Sequence, residues 1–215
     1  MTHRKMKAEI KSVKPEFNGF LKLNRYEIES EKHEGGTQTS IWLVMERGHA
    51  VAVLGYDPRR DEVVLINEMR PGILVAGEYP YTDNLVAGGI AKGEDPVEAG
   101  VREMMEEAGL ELTDAVIAHP GAFVSSGGTS EKIVIVFGVV DTSKAGGVHG
   151  KEEEREDIRT VVLSSDDFLR RLRAGEITDL KTMVAGYWLA DNRQRLQQEY
   201  AQKPPRKRSG GPGPS

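Results

Sequence analysis

Residues 88–110 read Gly-Gly-Ile-Ala-Lys-Gly-Glu-Asp-Pro-Val-Glu-Ala-Gly-Val-Arg-Glu-Met-Met-Glu-Glu-Ala-Gly-Leu. Asp95 is a strong N-cap, Pro96 suits the first helical position, and Glu98 completes a capping-box pattern. Gly109 suits the left-handed residue that ends a helix. The spacing therefore predicts a helix over residues 96–108. Val97, Val101, Met104 and Ala108 recur at helical period and are expected to face a core. Glu103 and Glu107 lie one turn apart, so their carboxylates stand on one face. Two like charges there destabilise the helix unless a cation lies between them. All-oxygen ligation suits Mg2+, with Mn2+ as the other choice. Arg102 can pair with Glu106 across a turn. A charge run alone would read as a solvated helix face, but here the glycine turn, the cap and the carboxylate spacing coincide.

Outward from this segment the chain alternates strands and turns. Residues 20–28 and 41–45 read as a hairpin about the charged, glycine-containing turn 29–38. Residues 49–54 and 62–69 are two further strands about the turn 57–61. Residues 77–84 read as a mobile segment. Residues 116–118, 133–140 and 158–163 read as buried strands. Residues 166–174 form a short helix that stops at Gly175. Residues 178–202 form a longer helix with Leu180, Val184, Tyr187, Trp188 and Leu196 as its apolar stripe. Residues 1–16 are polar and basic with little pattern. The tail is rich in proline, glycine and basic residues and is expected to be disordered. The organisation expected is a strand domain over 1–46, a main domain over 47–202 and a tail over 203–215.

Composition excludes several classes. The 215 residues are 38% hydrophobic and 29% charged, which opposes disorder, and no run approaches a membrane span. With no cysteine, thiolate catalysis and zinc–thiolate sites are impossible. No apolar stretch follows the first residues, so no secretory signal is expected and the cytoplasm is the expected compartment. The net charge of −5 disfavours nucleic acid as a partner.

Gly88, five residues, Glu94, seven residues, Arg102-Glu103-Met104, one residue, Glu106-Glu107, one residue, Gly109-Leu110 resembles a complete Nudix box. The resemblance extends to Arg47-Gly48-His49-Ala50, Ser126-Gly127-Gly128-Thr129-Ser130-Glu131, Gly147-Val148-His149-Gly150 and the acidic run 152–157, which are similar to bacterial ADP-ribose pyrophosphatases. It implies an α/β fold, a Nudix α/β/α sandwich with a mixed sheet, plus a small N-terminal antiparallel strand domain exchanged across a homodimer. The activity it implies is Mg2+-dependent cleavage of ADP-ribose to AMP and ribose 5-phosphate.

By the same resemblance, the metal would be held by Glu103, Glu107, the Ala87 carbonyl and Glu156, with Glu106 sharing it or serving the network. Glu154, or else Glu153, would be the general base on a closing loop. Arg70 would contact phosphate or the terminal ribose, and Glu131 would accept from ribose hydroxyls. Phe20 would stack on adenine, and Trp42, where a close relative has arginine, would form the second face of a base sandwich. Core positions for Phe20 and Trp42, and a surface position for Arg70, are the competing readings. One departure concerns substrate: Ser126 stands where these hydrolases usually have proline. The alternatives are another nucleoside diphosphate sugar (GDP-mannose, ADP-glucose) or NADH. Outside catalysis, a ligand-sensing Nudix domain would be expected to have an eroded box, and this box is whole. A third possibility, RNA end processing, has only the basic tail in its favour, and the acidic balance opposes it.

Overall fold

The computed structural model describes residues 4–151, 153 and 155–203. Its centre is an eight-stranded mixed sheet. Strands β4 (Ala50–Asp57), β5 (Glu62–Met69), β8 (Thr113–Phe123), β9 (Lys132–Val139), β10 (Val148–His149) and β11 (Ile158–Ser164) run in the order β10-β11-β5-β4-β9-β8. Two short strands, β6 (Tyr81–Asn84) and β7 (Val86–Gly89), pair with β5 and β4. The β4–β9 pair is parallel and its neighbours are antiparallel, which makes the sheet mixed.

Both faces of this sheet are covered, so its central strands read as continuous apolar runs rather than alternating ones. Along β4, Val51 and Val53 join Val64, Ile66, Val134 and Val136 beneath helix α2 (Pro96–Ala108), which adds Ala99, Met104 and Ala108. Ala52 and Leu54 face the other way, with Leu65, Ile135 and Phe137. There they meet α3 (Ser165–Arg173) and α4 (Leu180–Gln202) through Phe168, Leu172, Leu189 and Leu196. Each fully buried side chain of this kind contributes about 1.5–3 kcal/mol. The result is the expected α/β/α sandwich.

The N-terminal sheet is antiparallel, as expected, but has three strands. Strands β2 (Lys22–Glu31) and β3 (Thr37–Glu46) form the hairpin. The third, β1 (Ala8–Asn18), comes from the stretch that showed little pattern. It is exposed along its whole length, so burial imposes no alternation on its residues. The end of β3 is tied to the main body. Met45 N–H donates to the Gly128 carbonyl at 2.9 Å, and Ser130 N–H donates to the Met45 carbonyl at 3.2 Å.

Other expectations need correction. The segment read as mobile contains β6, which adds to the edge of β5, after a short helix α1 (Pro71–Val75) that opens on its proline. Val116 and Ile117 lie half exposed, because β8 is an edge strand with three register shifts. Val101, Leu180 and Tyr187 also point outward, so the stripes of α2 and α4 are narrower than their apolar residues suggested.

Candidate active site

Helix α2 is set by local chemistry. The Asp95 carboxylate accepts from Val97 N–H at 2.8 Å and Glu98 N–H at 3.3 Å, and Pro96 occupies the first turn. Gly109 ends the helix at φ 65, and its N–H returns to the last turn.

Arg102 clamps the preceding loop to the helix. Its Nε donates to Glu94 at 3.0 Å, and Nη2 donates to Glu94 at 3.3 Å and to the Gly89 carbonyl at 3.1 Å. Nη1 donates to Glu103 at 2.6 Å and Glu106 at 3.2 Å. Glu94 also accepts from Ala91 N–H at 2.7 Å. One planar guanidinium therefore fixes the loop and orients two carboxylates, which a lysine ammonium has too few donors to do. These pairs hold the Arg102 proton more tightly, with Glu94 the main cause.

Glu103 and Glu107, one turn apart on α2, are both buried, which their spacing alone did not indicate. Glu107 accepts from Ala87 N–H at 3.0 Å, which brings Ala87 to the same place. Burial pushes the Glu107 carboxyl up to about 8, with Glu68 and Glu103 adding repulsion. Burial also raises Glu103, against the opposing pull of Arg102. Gly88 is required for this packing, since a Cβ there would overlap the Glu103 carboxylate. Glu106 lies further out. Its Oε2 is 2.9 Å from Lys151 Nζ, and this pairing lowers its pKa.

Two buried carboxylates with raised proton affinity, cradled against a glycine strand, fit a hard divalent cation. Among the described residues, however, no three acidic or histidine side chains already converge on one point. The Glu156 carboxylate accepts from Lys151 N–H at 3.0 Å, and its own N–H donates to the Lys151 carbonyl at 3.2 Å, closing the base of the acidic loop. Glu153 is exposed, and Glu154 lies outside the described residues, as do residues 204–215 of the tail.

Arg70 Nη2 lies 2.7 Å from Glu68 Oε1. Glu131 is buried, with Arg47 Nε 3.5 Å away. Phe20 is 95% exposed, which overturns a core position for it within its own chain. Trp42 is 51% exposed on β3 and donates from Nε1 to Ser40 at 2.9 Å, so it is not a buried hairpin residue. Ala87, Glu103 and Glu107 are thus brought together, while Trp42 lies on β3 of the separate sheet and Phe20 in the turn between β1 and β2, not in the strand expected for it. Glu68 was missed by sequence reasoning. Its signal is an acid at the end of the apolar strand run Val63-Val64-Leu65-Ile66, two residues before Arg70.

Comparison with known proteins shows the family. A family model described as NUDIX domain matches residues 46–182. The ADP-ribose pyrophosphatase of Escherichia coli K12 is 35% identical, over 94% of this chain and 96% of its own length. That of Haemophilus influenzae is 32% identical over 86% of each chain. A GDP-mannose pyrophosphatase of Yersinia pestis is 28% identical over 83% of this chain and 90% of its own. Among solved structures, the crystal structure of an ADP compounds hydrolase shares the fold, with a TM-score of 0.67 and 20% identity over 92% of this chain and 98% of that one. The capped helix, its arginine clamp and the carboxylates packed against Gly88 all fall inside the matched segment, and the chain belongs to the NUDIX family.

Proposed function

We propose that this chain is a Mg2+-dependent hydrolase that cleaves the diphosphate of ADP-ribose to AMP and ribose 5-phosphate. The observation that carries the chemistry is the buried pair Glu103 and Glu107 on one face of α2. The substrate rests on the ADP-ribose pyrophosphatases that match nearly the whole chain.

In this reading Glu103, Glu107, Glu156 and the Ala87 carbonyl hold the divalent cation. When bound, the cation neutralises diphosphate oxygens and acidifies a water. Water adds to one phosphorus, the bridging phosphorus–oxygen bond breaks, and the other phosphate leaves. Glu154, or Glu153 beside it, takes the proton from water as the loop closes. Arg70 binds the charge that develops on the phosphate oxygens. Glu131 accepts from ribose hydroxyls. Phe20 and Trp42 sandwich the base after the residue 1–46 domain is exchanged with a second copy of the chain, which would cover their exposed rings. Residues 47–202 form the hydrolase domain, 203–215 the tail, and the cytoplasm is the compartment. Among the described residues no helix is long and apolar enough to cross a membrane.

Turnover of ADP-ribose with Mg2+, beside GDP-mannose, ADP-glucose and NADH with products identified, tests this. AMP release with ADP-ribose preferred is the expected result. Preference for GDP-mannose is the second reading, which the Yersinia relative favours, and Ser126 in place of the usual proline weakens the first. Binding without cleavage would make the domain a sensor.

A further inference from the structure

Strand β5 alternates, and Val64 and Ile66 pack beneath α2. Glu68 is the next residue on that face. Arg70 follows it with extended backbone (φ −104, ψ 107), so the period of two continues into the candidate active site. The Arg70 backbone is fixed on both sides. Its N–H donates to the Pro80 carbonyl at 2.9 Å, and its carbonyl accepts from Ile73 N–H at 3.1 Å and Leu74 N–H at 3.2 Å. Glu68 is itself held by pairing with Thr82 of β6. The remaining freedom is that of the arginine side chain.

That side chain is held by charge. Arg70 Nη2 is 2.7 Å from Glu68 Oε1, yet this buried nitrogen has no aligned hydrogen bond. Glu68 therefore places the guanidinium and leaves N–H directions of Nη2 unspent. Glu68 also feels Glu107 and Glu156, with Lys181 as a second nearby cation. Burial raises the proton affinity of Glu68, and the charge of Arg70 opposes this. A carboxylate set among carboxylates at partial burial works against folding, which points to a role in the site rather than in the core.

We infer that Glu68 is a positioning residue, which orders Arg70 for an anionic phosphate of the substrate through their 2.7 Å ion pair. This deepens the proposed function and rests on it. Ordering a long cationic side chain before binding reduces the freedom lost when substrate arrives. When phosphate reaches Arg70, the guanidinium lies between two anions, and Glu68 keeps it from swinging to solvent.

The test is a double-mutant cycle on the full chain with Mg2+ and ADP-ribose, using wild type, Glu68→Gln, Arg70→Ala and the double variant. Glu68→Gln is expected to raise KM about tenfold with a smaller change in kcat, and the double variant to match Arg70→Ala alone. The midpoint of Mn2+ binding, read by calorimetry without substrate, is expected to stay within about twofold of wild type. Three results would overturn the inference: no change in KM, equal and independent effects of the two substitutions, or a loss confined to Mn2+ affinity. If wild type prefers GDP-mannose, the substrate assignment falls while the same cycle on GDP-mannose still decides Glu68. If nothing is cleaved, the cycle is read on ADP-ribose affinity.

Discussion

The Glu103 carboxylate occupies the space that a side chain at Gly88 would need. This is a relationship between the end of β7 and the middle of α2, and it sets where the carboxylate can lie. Gly88→Ala is expected to displace that carboxylate rather than fill a void. The expected outcome is a loss of activity of about 100-fold, because a group shifted by about 1 Å loses its alignment, with a smaller change in stability, because only the end of the Glu103 side chain must move. Steady-state kinetics and urea unfolding measure the two effects, and unchanged activity would contradict the placement of Glu103.

Glu107 gives a pH dependence with a definite sign. Its folded value, about 8, lies above its ordinary 4.5. Folding of the metal-free protein is therefore favoured most below the ordinary value, and this contribution is lost as pH rises through about 8, on the order of a few kcal/mol. Glu103 and Glu68 are raised in the same direction. Melting temperature in EDTA is expected to fall between about pH 5 and pH 8.5, less steeply in Glu107→Gln. The same variant should fold and fail to turn over substrate; full activity in it would remove Glu107 from the metal site.

Arg102 makes a different prediction. Arg102→Lys keeps the charge but cannot bridge Glu94, Gly89, Glu103 and Glu106 together. A stability loss of ~1–3 kcal/mol is expected, because several charge-assisted hydrogen bonds go unmade. kcat should fall more than KM rises, because the clamp holds residues of the reaction and does not itself meet the nucleobase. Hydrogen exchange over residues 89–95 should speed up.

A network remote from the site separates stability from catalysis. Arg193 of α4 forms an ion pair with Asp61 in the β4–β5 turn and lies 2.6 Å from Asp166 at the start of α3. Asp61 also accepts from the Tyr56 hydroxyl at 2.7 Å. Arg193→Ala leaves a partly buried carboxylate without its main cation, so a loss of ~2–4 kcal/mol is expected. Thermal unfolding should show it, while KM for ADP-ribose at low temperature stays at the wild-type value.

The legible parts of the sequence were those where local chemistry and burial agree. The helix cap at Asp95, the stop at Gly109 and the Glu103–Glu107 spacing each follow from a short stretch of chain. The double-sided burial of β4 and β9 is written in their uninterrupted apolar residues. What was not legible depends on distant partners. β1 has no buried face, so nothing in its own residues marks it as a strand beside β2. β6 gains its conformation from pairing with β5. Glu68 was passed over as the acid that ends the apolar run of β5, and only the fold sets it near Arg70, Glu107 and Glu156. Val101 and Tyr187 have the right period but meet no neighbouring layer, so pattern alone overstated how wide the covered faces are.

The short union of Met45 with Gly128 and Ser130 has a consequence for how recognition diverges. It couples the rim of the N-terminal sheet to the loop that ends in Glu131, by two main-chain bonds that any residue can make. Side chains along that seam are thus free to vary without loosening it. The helix carrying Glu103 and Glu107 takes no part in the seam. A substitution along the seam can thus change what lies beside Glu131 while Glu103, Glu107 and their helix keep their places.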